Sequence, residues 1–439
     1  MKVRFAVGLF MAGVATGAQA APFEPGAARA RVEQVLSRDL SRLDALYMDI
    51  HRHPELAFQE KATAAKLARE MKAAGFTVSE GVGGTGIVAV LKNGAGPTVL
   101  VRTELDALPM AERTGLPYAS SAVTTWQGRE TPVAHSCGHD IHMAAWVGAA
   151  RALAALKNEW SGTLIFVGQP AEETTSGAQA MLKDDFVRRF GKPDYAFALH
   201  VSPAPAGTVL YRSGPMSSTS DSLEIVFHGR GGHGSAPAAT IDPVLMAARF
   251  TVDVQSVISR EKAPEAFGVV TVGAIVAGDA GNVIPDEAVV RGTVRSQDDA
   301  VRAKLLAGIR RTAQAVSDMA GAPAATVTIA AGGKMVVNDP ALSERTEAVF
   351  KQAFGKGAQP FPIIMSGSED FSEFVNLGVP SVYFLIGGLE PAFFANAIKA
   401  GHLPINHSPD FAPEPEPTIA TGATAMALAV MNVARPAGR

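Results

Sequence analysis

The sequence predicts an α/β fold built of two units: a discontinuous layered-sheet domain, interrupted by an inserted β-α-β-β-α-β unit. Three observations carry this. Over the first half, short apolar runs alternate with segments of helical period, the pattern of a sheet covered by helices. Between Leu223 and Ala330 the order becomes strand, helix, two strands, helix, strand, the split arrangement of ferredoxin-like units. Beyond it, helix, strand and helix return. At 439 residues the chain also exceeds what one hydrophobic core usually supports.

Residues 1–20 begin with Lys2 and Arg4, continue with an apolar stretch from Phe5 to Val14, and end on the small-x-small site Ala18-Gln19-Ala20. That is the pattern of a secretory signal peptide cleaved after Ala20. The apolar run falls short of the ~20 residues a membrane span needs. A periplasmic or secreted product without a membrane anchor is expected.

From Arg31 to Ala74, Leu40, Leu43, Leu46, Tyr47 and Ile50 recur at helical steps. His53-Pro54 interrupts them, because proline disfavours helix in the residue before it. A second helix, Thr63 to Ala74, ends at Gly75. Strands are predicted at Ile87–Leu91, Thr98–Val101, Thr163–Val167 and Tyr195–Leu199, with a helix at Met143–Leu156. In the inserted unit the expected elements are Leu223–His228, helix Pro243–Ser259, strands Gly268–Val276 and Ala288–Val294, helix Asp298–Ala320 and strand Ala325–Ala330. Helix Ser343–Phe354, strand Val382–Ile386 and a helix from Thr418 close the chain.

Chemistry-bearing residues sit where those strands end. Asp106 follows the strand ending at Val101, Glu172 and Glu173 follow the strand Thr163–Val167, and His200 ends Tyr195–Leu199. In open α/β sheets, sites form outside the carboxyl ends of strands, so these distant segments can converge. Each residue alone has an ordinary alternative: a solvated charge, a core histidine, a turn. The sole cysteine, Cys137, lies in Ala134-His135-Ser136-Cys137-Gly138-His139-Asp140-Ile141-His142. A lone thiol in an exported chain has no disulfide partner within it, and an imidazole two residues away makes a metal chelate plausible. A formal charge of −3 without basic blocks gives no electrostatic case for nucleic acid or anionic membranes.

Taken together, these segments resemble the aminoacylase/carboxypeptidase-type di-metal metallopeptidases, in particular the hippurate hydrolase and auxin-conjugate amidohydrolase subgroup. The resemblance rests on His51-Arg52-His53-Pro54-Glu55-Leu56, Arg102 to Pro109, Cys137-Gly138-His139-Asp140 and Pro170-Ala171-Glu172-Glu173. It continues through Gly231-Gly232-His233-Gly234, Asn282-Val283-Ile284-Pro285, Glu369-Asp370-Phe371 and His407-Ser408-Pro409. It implies Cys137, His139, Glu173, His200 and His407 as metal ligands, with Cys137 bridging two divalent ions and Glu172 as general base. Thiolate, imidazole and carboxylate suit zinc, with manganese, cobalt or nickel also accommodated. Asp106 would orient a ligand, and His233 and Asn282 would meet the substrate, His233 from the partner subunit of a homodimer.

By the same resemblance the catalytic domain comprises two segments, 31–217 and 332–435, with a lid and dimerisation domain at 218–331 between them. The reaction implied is hydrolysis of an N-acyl or N-aroyl amino acid. A dipeptidase or carboxypeptidase is the nearest alternative, and a non-catalytic solute-binding relative a more distant one. Two departures stand out: Thr103 and Glu104 replace the usual Ala and first Asp of Arg-Ala-Asp-x-Asp, and Ser136 stands where alanine is commoner. Neither change falls on a ligand or on the base.

Overall fold

The computed structural model describes residues 23–435; the signal segment expected at 1–20 lies outside the described residues. Helices Pro25–Leu36, Leu40–Arg52 and Lys61–Ala73 lead into an eight-stranded sheet. Its strand order is Thr77–Val82, Gly86–Asn93, Gly162–Gln169, Thr98–Glu104, Tyr195–Pro205, Ser381–Leu389, Val209–Tyr211 and Ala358–Pro360. The four central strands, Gly162–Gln169 to Ser381–Leu389, run parallel. They are buried on both faces, which explains why they read as continuous apolar runs.

One face carries helices His139–Ala155 and Pro415–Val433, whose residues are buried nearly all round. The N-terminal helices and Pro340–Phe354 complete that layer through Leu36, Leu43, Tyr47 and Phe350. The other face is closed by the short helices Gly177–Lys183, Phe186–Phe190 and Ser372–Val375 around Met181, Phe186, Phe371 and Phe374.

A second, antiparallel sheet has the order Gly268–Val276, Glu287–Ser296, Thr219–His228, Thr326–Ala331. Helices Pro243–Asp253 and Asp299–Met319 pack on one face of it, with Phe227, Phe250, Val257, Val290 and Ile309 as the core. This strand order is that of the split βαβ arrangement. Helix Pro243–Asp253 is shorter than the Pro243–Ser259 expected and is followed by a single π turn, Val257–Glu261. Among the described residues no helix is long and apolar enough to cross a membrane.

Candidate metal centre

The strand Thr98–Glu104 delivers Asp106, the strand Gly162–Gln169 delivers Glu172 and Glu173, and the last strand lies beside Tyr195–Pro205, which carries His200. That strand continues past Leu199 to Pro205, so His200 is within it and not at its end. Cys137 and His139 flank Gly138, the left-handed residue (φ +88°) that starts helix His139–Ala155. A Cβ at Gly138 would lie 2.4 Å from Val201 Cγ1. Only glycine lets this turn press against the strand that bears His200.

Carbonyl oxygens fix the rings. His139 Nδ1 donates to Asp106 O (2.8 Å) and His200 Nδ1 to Val201 O (2.7 Å), because a carbonyl can only accept. In the neutral ring each Nε2 then keeps a lone pair facing the cluster. His200 Nε2 and His407 Nε2 each stand 3.3 Å from Cys137 Sγ. His407 Nε2 is 3.4 Å from Glu173 Oε2, and His139 Nε2 is 3.9 Å from Glu173 Oε1. Two ligand triads result, Cys137–His139–His200 and Cys137–Glu173–His407, each with its donor atoms within 4.8 Å of one another. They share one sulfur.

His407 reaches this point from a turn at φ +69°. Its N–H donates to Ser136 O (2.8 Å). Next to it, Asn406 Nδ2 donates to Cys137 O (2.9 Å) and Val201 O (3.2 Å). The loop is thus stitched to the Cys137 turn on two sides.

Glu172 and Glu173 come from a tight loop in which Ala171 (φ +51°) and Thr175 (φ +49°) are left-handed. Gly177 lies so close beneath that a Cβ would fall 1.5 Å from Pro170 O. Both carboxylates approach His139 Nε2, Glu172 Oε2 at 3.8 Å and Glu173 Oε1 at 3.9 Å, and they differ in their other neighbours. Glu173 joins the sulfur and His407; the Glu172 carboxylate lies beside Glu369 and Asp370.

The charge balance of the cluster calls for cations. Burial, then Glu369, Glu173 and Asp370, push Glu172 well above the usual carboxylate range. Burial raises Glu173 to about 7, and burial with Glu173 and Glu172 holds the Cys137 thiol high. Burial disfavours a charge on His139, yet Asp106, Glu104 and Glu173 outweigh it and lift the imidazole to about 10. His139 Nε2, Glu173 Oε1 and Asp106 Oδ1 are buried without a hydrogen-bond partner. Unpaired buried polar atoms are rare, and here His139 Nε2 and Glu173 Oε1 converge with S, N and O donors that suit divalent metal ions. The residues fit such ions.

Glu104, one of the two departures, is fully buried and satisfied. It pairs with Arg102 and accepts from His142 Nδ1 (3.0 Å), whose Nε2 takes the Val201 N–H (2.8 Å). Arg102 also bonds Glu369 (2.7 Å) and Asp370 (3.2 Å). Motif and spacing assign no role to this buried ion network, to Asn406 or to Arg295. Arg295 bonds Ser366 O (3.3 Å) and Ser368 Oγ (3.4 Å). After burial and His139, its charge is what holds down the pKa of His407.

His233 and Asn282 are not drawn into this cluster. Both are exposed on a small ribbon of the inserted unit, where Gly232-His233 pairs with Val283-Ile284. His233 Nδ1 accepts from Ser235 N (3.1 Å), and Asn282 O accepts from Gly234 N (2.9 Å).

Comparison with known proteins shows the family. Residues 100–432 match Peptidase family M20/M25/M40. Thermostable carboxypeptidase 2 of Saccharolobus solfataricus is 32% identical over 86% of this chain and 92% of its own length. Hippurate hydrolase of Campylobacter jejuni is 40% identical over 58% of this chain and 64% of its own. The crystal structure of a dinuclear metal-binding M20-family peptidase from Bacillus subtilis is 28% identical, with a TM-score of 0.72 over 91% of this chain and 99% of that one. Likeness of sequence and of fold thus extends over nearly the whole described chain, which belongs to peptidase family M20/M25/M40.

Proposed function

We propose that this enzyme hydrolyses the amide of N-acyl or N-aroyl amino acids, releasing a carboxylate and a free amino acid. The observation that carries the reading is the pair of ligand triads sharing Cys137 Sγ, with the spare carboxylate of Glu172 beside them. Cys137, His139 and His200 would hold one divalent ion, and Cys137, Glu173 and His407 the other. When bound, the ions lower the pKa of water and polarise the scissile carbonyl. Zinc or manganese suits the donor set, as do cobalt and nickel.

Glu172 acts as general base. Its carboxylate accepts the proton of the attacking water and, being held high by burial and its acidic neighbours, carries that proton to the leaving nitrogen. Asp106 keeps His139 and Glu173 in place. Arg295 offers a cation for the substrate carboxylate. His233 and Asn282 approach the substrate across a homodimer interface, which accounts for their exposure within one chain. Residues 218–331 form the lid and dimerisation unit between the catalytic segments 31–217 and 332–435.

Glu172→Gln tests the base: turnover should fall by about 10²–10⁴-fold while bound metal is unchanged, and normal turnover rejects the assignment. The relative named a carboxypeptidase supports a second reading, cleavage of a peptide bond. A panel of acetyl-, benzoyl- and indoleacetyl-amino acids beside dipeptides separates the two. Cleavage of dipeptides alone would leave the carboxypeptidase reading standing.

A further inference from the structure

Glu60 is a fully buried carboxylate far from the ligands in sequence. It occupies the N-cap position of helix Lys61–Ala73 yet makes no capping bond there. Glu55 does that work instead: its carboxylate accepts from Ala62 N (3.1 Å) and Thr63 N (2.7 Å). Glu60 is thereby free to turn inward. Its Oε1 accepts the N–H of Ala171 at 2.8 Å, and Oε2 is held by the Thr85 hydroxyl.

Ala171, with a left-handed φ of +51°, is the residue that turns the chain immediately before Glu172 and Glu173. Alanine enters that region reluctantly, so the conformation needs an external hold. Two other carboxylates grip the same loop: Asp106 Oδ2 takes Glu173 N (2.9 Å) and Asp370 Oδ2 takes Ala178 N (2.9 Å). Three buried acids therefore fasten three backbone N–H groups on either side of the catalytic glutamate. Burial, followed by Asp106, pushes the Glu60 carboxyl to about 7, and buried groups perturbed in this way cluster at functional sites.

We propose that Glu60 is a positioning residue for the reaction, fixing the left-handed turn at Ala171 that aims the Glu172 carboxylate into the metal centre while Glu173 remains a ligand. The inference rests on the assignment of Glu172 as base. A small misplacement of a reacting group is enough to cost about 100-fold in rate.

The test uses the holoenzyme with the best substrate from the acyl-amino-acid and dipeptide panel. Glu60→Ala should lower kcat by about 100-fold with little change in KM, and metal content should stay at the wild-type count. Glu60→Gln, which keeps an acceptor for Ala171 N–H, should retain most of the activity. Adding Ala171→Gly to Glu60→Ala should restore about tenfold, because glycine adopts positive φ without help. Wild-type kcat in Glu60→Ala overturns the proposal, as does a loss that follows metal content with no recovery from Ala171→Gly. If Glu60→Ala does not fold, Thr85→Val, which releases Oε2, should still lower kcat, and an unchanged kcat there also overturns it. Glu172→Gln, assayed alongside, separates the failures. Normal turnover in that variant removes the base itself; an inactive Glu172→Gln with a fully active Glu60→Ala removes only the positioning role.

Discussion

Asp106 holds two of the proposed ligands at once. Its backbone carbonyl receives His139 Nδ1 at 2.8 Å and its Oδ2 receives Glu173 N at 2.9 Å. Asp106→Ala keeps the carbonyl but frees Glu173, so metal affinity should drop by about 10–100-fold, measured by titration calorimetry on the apo-protein. Unchanged affinity would remove Asp106 from the support of the site. Cys137→Ser should lower the bound metal count by elemental analysis, since one atom serves both triads; wild-type stoichiometry would sink the shared-sulfur arrangement. At this scale the centre was legible because Cys137, His139 and the Glu172–Glu173 pair stand in compact motifs, and His200 and His407 come with strand or turn context. Glu60 was not. In sequence it is one acid before a helix, and its partner Ala171 lies 111 residues away. Asn406 and Arg295 were hidden for the same reason, because their contacts are long-range.

Helix His139–Ala155 links the ligands to the sheet, and its first turn is tied down by a histidine from another helix. His51, near the end of Leu40–Arg52, pairs with Asp140 at 2.6 Å and Glu112 at 3.0 Å. Burial opposes its charge, but those two acids prevail and raise the imidazole from 6.5 to about 10. Between these values the folded chain holds a proton that the unfolded chain has released, so the contribution of His51 to stability is full below about pH 6.5 and is lost as pH rises toward 10. Urea unfolding at several pH values in that window should show the decline, and His51→Gln should make it shallower; equal slopes would rule His51 out as a cause. Gly138→Ala should destabilise the protein by at least about 1–3 kcal/mol, through both its positive φ and the contact with Val201. Strong apolar runs and helical periods made the main elements legible to within a few residues. The hairpin Val123–Trp126 and Arg129–Pro132 was missed because its partly exposed strands carry no apolar alternation. Helix Pro391–Ala400 escaped because only Ala397 is buried in it.

Assembly is a property of the whole molecule. In the inserted unit, strand Gly268–Val276 is a sheet edge, and Leu245, Val252, Ile275 and Val276 are exposed on that unit. Unpaired edges and apolar surface of this kind favour association. The protein should run as a dimer in light scattering after size exclusion, and Ile275→Asp should shift it toward monomer with a loss of turnover. A monomer that is fully active would remove His233 of the partner subunit from the reaction. For the exported form, expression of the full chain should yield a mature product beginning at Ala21, read by N-terminal sequencing. The insertion itself was legible as a change in element order; which of its faces meets another copy was not, because a sequence shows apolar residues without showing whether anything covers them.

Cys137 and the two histidines that meet its sulfur, His200 and His407, belong to different stages of synthesis. His407 meets Cys137 across 270 residues of chain, and between them the ribosome must complete the last strands of the large sheet and the whole inserted unit. Until nearly all of the polypeptide has emerged, the sulfur can have only a fraction of its ligand set. The contact between His407 and Cys137 can therefore close only at the end of synthesis.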